Sequence, residues 1–145
     1  MLEKDTELSY LAAIMDGEGC FCVYKENNPR NHRRSIRYSY GMNVVNTNMI
    51  LMDWLKSNLK GFVRTKRPNT IPENWKTPFQ WSLYATQAAE VCKKILPYLK
   101  LKKRNAEILI EMNETMQNGN KYKIDRRHGV PVELMNKREL LRIEM

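Results

Sequence analysis

The sequence predicts an α+β fold of order αββαββα, with an antiparallel sheet and extra helices at the C-terminus. Apolar and polar side chains alternate over 19–25 and 36–46, and a turn-rich connection joins these segments, which is typical of a long β-hairpin. Segments 47–59, 86–96 and 101–116 repeat their apolar residues with helical spacing. A chain of 145 residues, 42% of them hydrophobic, is large enough for one domain with its own core.

The first element is an apolar helix that ends near Gly17. Small residues recur along it at spacings of three and four and form one face: Ser9, Ala12, Ala13 and Asp16. A face with so little bulk lets another helix approach closely. If a second copy of the chain supplies that helix, these four residues form a dimer interface, in which Asp16 bonds backbone groups of the partner. The alternative is an ordinary amphipathic helix with Gly17 as its C-cap.

The end of this helix carries two acids, Asp16 and Glu18, on either side of Gly17. Acids are disfavoured there, because the unpaired carbonyls at a helix C-terminus carry partial negative charge. The sequence therefore predicts a compensating cation, which is either a bound divalent metal or a phosphate-bound ion brought by the substrate.

The next elements follow from the same patterns. The helix over 47–59 has Asn46 or Thr47 as its cap and stops at Gly61. Strands over 62–67 and 78–84 form a second pair before the helices over 86–96 and 101–116. The polar residues 117–120 end the compact part, so residues 1–117 are predicted to form the main domain. Residues 118–145 then supply a basic linker and a helix over 132–145 that packs on this domain or extends it.

Strand period sorts the side chains of the sheet into an apolar and a polar face. Tyr40 and Met42 belong to the apolar face. The polar face carries Cys22, Tyr24, Arg37, Ser39, Asn43, Arg64, Lys66, Gln80 and Ser82. In a DNA major groove, Arg bonds guanine, and Asn or Gln bonds adenine. Each residue alone is equally well explained as solvated, whereas the set favours DNA contact.

The net charge of +9 is concentrated in blocks, one of which contains Arg30, Arg33, Arg34 and Arg37. Such surfaces favour nucleic acid, because neutralised phosphates release counterions. A membrane partner is not expected, because the longest apolar run is Leu11 to Met15. The odd number of cysteines, without CxxC spacing, indicates reduced thiols in an intracellular protein.

Three segments resemble the LAGLIDADG homing endonuclease family. Residues 11–19, Leu-Ala-Ala-Ile-Met-Asp-Gly-Glu-Gly, occupy the nine motif positions, with Ala13 where Gly is common and Glu18 at the second acidic position. Residues 97–106 resemble the proline-led segment that ends in a lysine before a helix, and residues 44–55 resemble the strand-to-helix junction. The resemblance covers roughly residues 6 to 117, and the motif occurs once, which favours one active-site half per chain.

The resemblance implies a saddle-shaped sheet and a homodimer that hydrolyses both strands of a long pseudo-palindromic DNA site with Mg²⁺ or Mn²⁺. It implies that Glu18 and the Gly17 carbonyl hold the metal, that Lys102 stabilises developing charge, and that Asn46 holds the water network. Many members place a second basic residue just beyond this asparagine, where this chain has Asn48 and Met49. The alternative is a non-cutting binder, such as a maturase that acts on intron RNA. An intron-encoded protein of a bacterial or phage cytoplasm, or of an organelle, is expected.

Overall fold

The computed structural model describes residues 4–27, 36–65, 74–121 and 130–145. The helices within these ranges are α1 (Asp5–Gly17), α2 (Met49–Leu59), α3 (Ala85–Ile95), α4 (Lys103–Lys121) and α5 (Val132–Glu144). The strands are β1 (Gly19–Asn27), β2 (Ile36–Asn46), β3 (Phe62–Thr65) and β4 (Phe79–Tyr84). They form one antiparallel sheet of order β1-β2-β4-β3. The predicted α+β fold and its element order are confirmed.

Two predicted helix boundaries are wrong. The cap of α2 is Asn48, whose side chain accepts hydrogen bonds from the backbone N–H groups of Ile50 and Leu51, and not Asn46 or Thr47. An asparagine immediately before the first helical residue satisfies two unpaired N–H groups there, and neither earlier residue does so. The helix predicted to end at 116 runs on to Lys121 and includes Gly119, although glycine disfavours a helix.

Strand register places the core on one face of the sheet. Residues directly opposite each other share a face, so Met42, Leu83 and Trp81 lie on the same side, and they are buried together with side chains of all five helices. The Trp81 indole also donates to the carbonyl of Lys60 at 2.9 Å. Gly61 is required beside it, since its φ is +77° and an added Cβ would lie 2.5 Å from the carbonyl oxygen of Ser82.

Helix α5 packs against α4 and β1 and is joined to the outer end of the β-hairpin through Glu139. Its carboxylate accepts from Lys25 of β1, at 3.1 Å, and from the Tyr38 hydroxyl of β2. Hydrogen bonds from Arg142 and Tyr38 lower the pKa of Glu139 to about 2. The last helix thus supports the hairpin from the core side. No helix among the described residues has the length and apolar character needed to cross a membrane.

Candidate active site and nucleic-acid interface

The C-terminus of α1 is neutralised by an ammonium group of the chain itself. The Nζ of Lys102, the residue before α4, donates to the carbonyl of Met15 at 3.0 Å and to that of Gly19 at 2.6 Å. Lys102 is a cation that the chain itself brings to this point, and the metal or phosphate-bound ion predicted here stays a prediction. An ammonium has three donors, so one remains for a ligand.

Asp16 holds the segment that carries this lysine. Its carboxylate accepts from the backbone N–H groups of Lys100, Leu101 and Lys102 at 2.7, 3.2 and 3.0 Å. Burial opposes ionisation of Asp16, but these three donors and the nearby ammonium outweigh it and hold the pKa of Asp16 below its ordinary value of 3.8. Asp16 is thus engaged by donors of its own chain, and its place in a dimer interface stays a prediction.

We expect Asp16→Asn to destabilise the protein by about 1 to 3 kcal/mol, because one amide oxygen cannot serve three donors as a carboxylate does. The lowered pKa of Asp16 means that its stabilisation is full above the unfolded value of about 3.9 and is lost as the pH falls through the folded value. Urea unfolding at pH 7 and at pH 3 measures this. The loss in the free energy of unfolding caused by Asp16→Asn should be smaller at pH 3 than at pH 7. An equal loss at both pH values would contradict the role of the carboxylate.

Glu18 and Asn46 are in contact just beyond the C-terminus of α1. The Asn46 side-chain amide donates to the Glu18 carboxylate, and its oxygen accepts from the backbone N–H of Asn48 at 2.8 Å. Asn46 is thereby fixed by the cap of α2 and orients the exposed glutamate. The structure thus gathers Glu18, Asn46 and Lys102 around the end of α1.

The oxygen atoms near the end of α1 suit a metal ion that takes part of its ligands from another molecule. No group of three or more His, Cys, Asp or Glu residues within the described ranges could enclose an ion. Glu18 offers an exposed carboxylate, and Gly17 is also exposed, with nothing within 4 Å of an added Cβ. Magnesium is commonly held by one or two carboxylates together with water and substrate phosphates. Glu18 and the Gly17 carbonyl fit that pattern.

The side of the sheet away from the core, here called the open face, carries the predicted DNA-contacting residues. Tyr24, Arg37 and Arg64 are exposed there, and Ser39 and Asn43 are half-buried. Arg30, Arg33, Arg34 and Lys66 lie outside the described residues.

Three other predicted contacts of the open face are buried. Ser82 is 0% exposed, and Cys22 and Gln80 are also covered. Gln80 donates to Ser82 and accepts from Arg64, both at 3.2 Å, so it orients the arginine. The side-chain amide nitrogen of Asn43 lies 3.9 Å from the Cys22 sulfur, a long hydrogen bond. Direct base contact by Ser82 and Cys22 is therefore not available in this conformation.

Four exposed residues of the open face were missed in the sequence: Cys20, Glu26, Phe62 and Tyr84. Phe62 and Tyr84 are exposed, and their rings stack with centroids 5.7 Å apart. Glu26 is exposed directly opposite Arg37. Strand period alone would have found them, since Phe62 is two residues from Arg64 and Tyr84 is two residues from Ser82.

The predicted interface face of α1 is only partly exposed. Ala12 is fully buried in the core with Leu8, Leu11 and Met15, so its assignment to a dimer interface is wrong. A helical turn places Ala12 over Leu8, on the core side. Ser9 and Ala13 are exposed.

No protein-family model and no curated protein matches this chain. Among solved structures, the chain is similar to the homing endonuclease I-CvuI in complex with its target, with a TM-score of 0.73, 19% identity, and coverage of 96% of this chain and 79% of the other. The archaeal intron-encoded homing endonuclease I-Vdi141I, complexed with DNA, gives a TM-score of 0.74 at 15% identity, over 98% of this chain and 83% of that chain. The LAGLIDADG homing endonuclease I-GzeII, in complex with a DNA target, gives 0.70 at 12% identity, over 95% of this chain and 44% of that chain.

The chain has the LAGLIDADG homing endonuclease fold. Its 145 residues fit the single-motif type, and the nine motif residues span the end of α1 and the start of β1. The last motif glycine, Gly19, lies so close to α1 that an added Cβ would be 2.6 Å from the Met15 Cα. In this LAGLIDADG fold the second motif acid, Glu18, is left exposed where the open face begins.

Proposed function

We propose that the protein is a site-specific DNA endonuclease that acts as a homodimer, each chain cutting one strand of a long pseudo-palindromic site. The observation that carries this proposal is the exposed Glu18 carboxylate, held by Asn46 on a turn whose Met15 and Gly19 carbonyls accept from Lys102, at the end of a face that presents Arg and Asn side chains. A protein that only bound nucleic acid would gain nothing from an acid next to phosphate.

The residues of the site have separate roles in this proposal. Glu18 and the Gly17 carbonyl would hold Mg²⁺ or Mn²⁺, and the chemistry such an ion would supply there is a water of lowered pKa and stabilisation of charge on the leaving oxygen. Asn46 keeps the Glu18 carboxylate oriented. Lys102 offers its remaining N–H to the charge that develops on the phosphate, in a position set by its two carbonyl bonds.

The exposed side of α1 supports a homodimer. Ser9, Ala13 and Gly17 leave that side with little bulk, and among the described residues none outside α1 and the adjoining Glu18 lies within 4 Å of a Cβ added at Gly17. Two chains packed through α1 would bring both Glu18 residues near one dyad.

Open-face side chains are expected to read bases. Alanine substitution of Arg37, Asn43 or Arg64, or of the buried Gln80 that orients Arg64, should relax the base preference at particular symmetric positions by about 1 to 3 kcal/mol each. Lys93→Ala, an exposed lysine on α3, is the matched control and should leave the pattern unchanged. Binding profiles on a randomised duplex measure this. Equal weakening at all positions would mean that the open-face residues contact only phosphates.

Selection from a random duplex library tests the function itself. The full chain should first enrich a family of two-fold symmetric sites, and these should then be cut when Mg²⁺ is added. A defined site that is bound but stays intact in both Mg²⁺ and Mn²⁺ would contradict the endonuclease and favour the non-cutting binder. Preferential binding of structured RNA over any duplex DNA would favour the maturase alternative.

A further inference from the structure

The open face carries an acid in surroundings that are otherwise neutral or basic. Glu26 lies near the outer end of β1, is exposed, and stands directly opposite Arg37 of β2. Its Oε1 accepts from the hydroxyl of Ser39 at 3.1 Å. Within the described part of the chain, no other side chain donates to Glu26, so its second oxygen is open to a ligand.

A carboxylate on such a face is unfavourable beside phosphates unless it meets a hydrogen-bond donor. The major-groove donors of DNA are the N4 amino group of cytosine and the N6 amino group of adenine. Adenine presents its N7 acceptor next to N6, and this nitrogen repels a carboxylate. Cytosine has no acceptor of its own on that edge, so a glutamate that accepts from N4 selects cytosine.

We propose that Glu26 is a specificity-determining residue that selects a cytosine in each half-site of the DNA; this inference rests on the proposed function. The hydrogen bond from Ser39 holds one oxygen of the Glu26 carboxylate. This contact fixes the side chain and so sets the position of the second oxygen. Arg37, on the neighbouring strand, is placed to bond the guanine edge of the same base pair or of the next one. Glu26 and Arg37 together would recognise a cytosine and a guanine of the same base pair or of two neighbouring ones.

The length of β1 from Gly19 to Glu26 predicts how far the selected cytosine lies from the cleavage centre. Glu26 is seven residues beyond Gly19, the first residue of β1. At about 3.3 Å per residue this is roughly 23 Å, or about seven base pairs if the strand follows the groove. The selected cytosine should therefore lie well outside the cleavage centre, toward the end of each half-site.

Base-preference profiling of the full chain tests the proposal. Wild type, Glu26→Gln, Glu26→Ala and Ser39→Ala are compared for binding in Ca²⁺ and for cleavage in Mg²⁺, with Glu114→Gln, an exposed acid on α4, as the matched control. Glu26→Gln should shift one symmetric position from cytosine to adenine by about tenfold, because an amide both donates to N7 and accepts from N6. Glu26→Ala should lose the cytosine preference without gaining adenine, and Ser39→Ala should weaken it.

The outcomes separate this inference from the proposed function. An unchanged profile in Glu26→Gln and Glu26→Ala, or an equal change at every position, would overturn the role of Glu26. A wild-type protein without any cytosine preference toward the ends of its half-sites would overturn it as well. Failure of the wild type to cut, combined with the cytosine-to-adenine shift in binding, would overturn the endonuclease but support the role of Glu26.

Discussion

Glu18→Gln is expected to abolish cleavage while DNA binding survives or tightens. The amide keeps the size of the side chain and its contact with Asn46 but loses the negative charge that is proposed to hold a divalent ion. The same loss removes repulsion from the nearby phosphate, which explains the expected gain in affinity. Single-turnover rates in Mg²⁺ should fall by at least roughly 10² to 10³-fold, and binding measured in Ca²⁺ should not weaken.

Glu90→Gln is the matched control for this experiment, because Glu90 is an exposed acid on α3. It should cut at the rate of the wild type. If Glu18→Gln retains full Mg²⁺-dependent cleavage, Glu18 is not a metal ligand. If it loses binding together with cleavage, Glu18 contributes to the structure of the interface.

Ala13→Phe is expected to abolish the dimer and cleavage together. Ala13 lies on the exposed side of α1, so the phenyl ring meets only the partner helix and leaves the core of its own chain unchanged. Overpacking costs typically about 1 to 3 kcal/mol at one site, and two-fold symmetry doubles that cost in a dimer. Sedimentation equilibrium gives the association state, and cleavage assays of the same sample give the activity.

Ser57→Phe, at an exposed position of α2, controls for the effect of an added surface ring. It should leave both the dimer and the activity unchanged. An Ala13→Phe protein that sediments as an unchanged dimer would place the interface on another surface. A monomer that still cuts both strands would contradict the requirement for two chains.

The fold was predictable because its signals are local. The alternation over 36–46 matches β2 residue for residue, and helical spacing located α2, α3, α4 and α5. The three proposed active-site residues, Glu18, Asn46 and Lys102, were selected through the family resemblance. Composition alone leaves Lys102 as one lysine among several, whereas its two carbonyl bonds single it out.

The errors arose where a pattern has two physical explanations. Ala12 and Ala13 are both small, but α1 turns one toward Met15 and the core and the other toward solvent, which residue size does not reveal. Asp16 was assigned to a partner because it shares the small-residue face of α1 with Ser9 and Ala13. That its donors come from residues 100–102 depends on a contact more than 80 residues away along the chain. Strand period likewise gives the face of Ser82 but not the neighbours that bury it.

Mapping the cut ends of a selected duplex under single-turnover conditions tests the central claim most directly. The wild-type chain, incubated with Mg²⁺ and a duplex labelled on both strands, should produce one cut in each strand at positions related by the two-fold axis of the site. The products should be absent when EDTA is added and in Glu18→Gln. A duplex that is bound at a defined site but remains intact, or cuts that persist in EDTA, would contradict the proposed metal-dependent endonuclease.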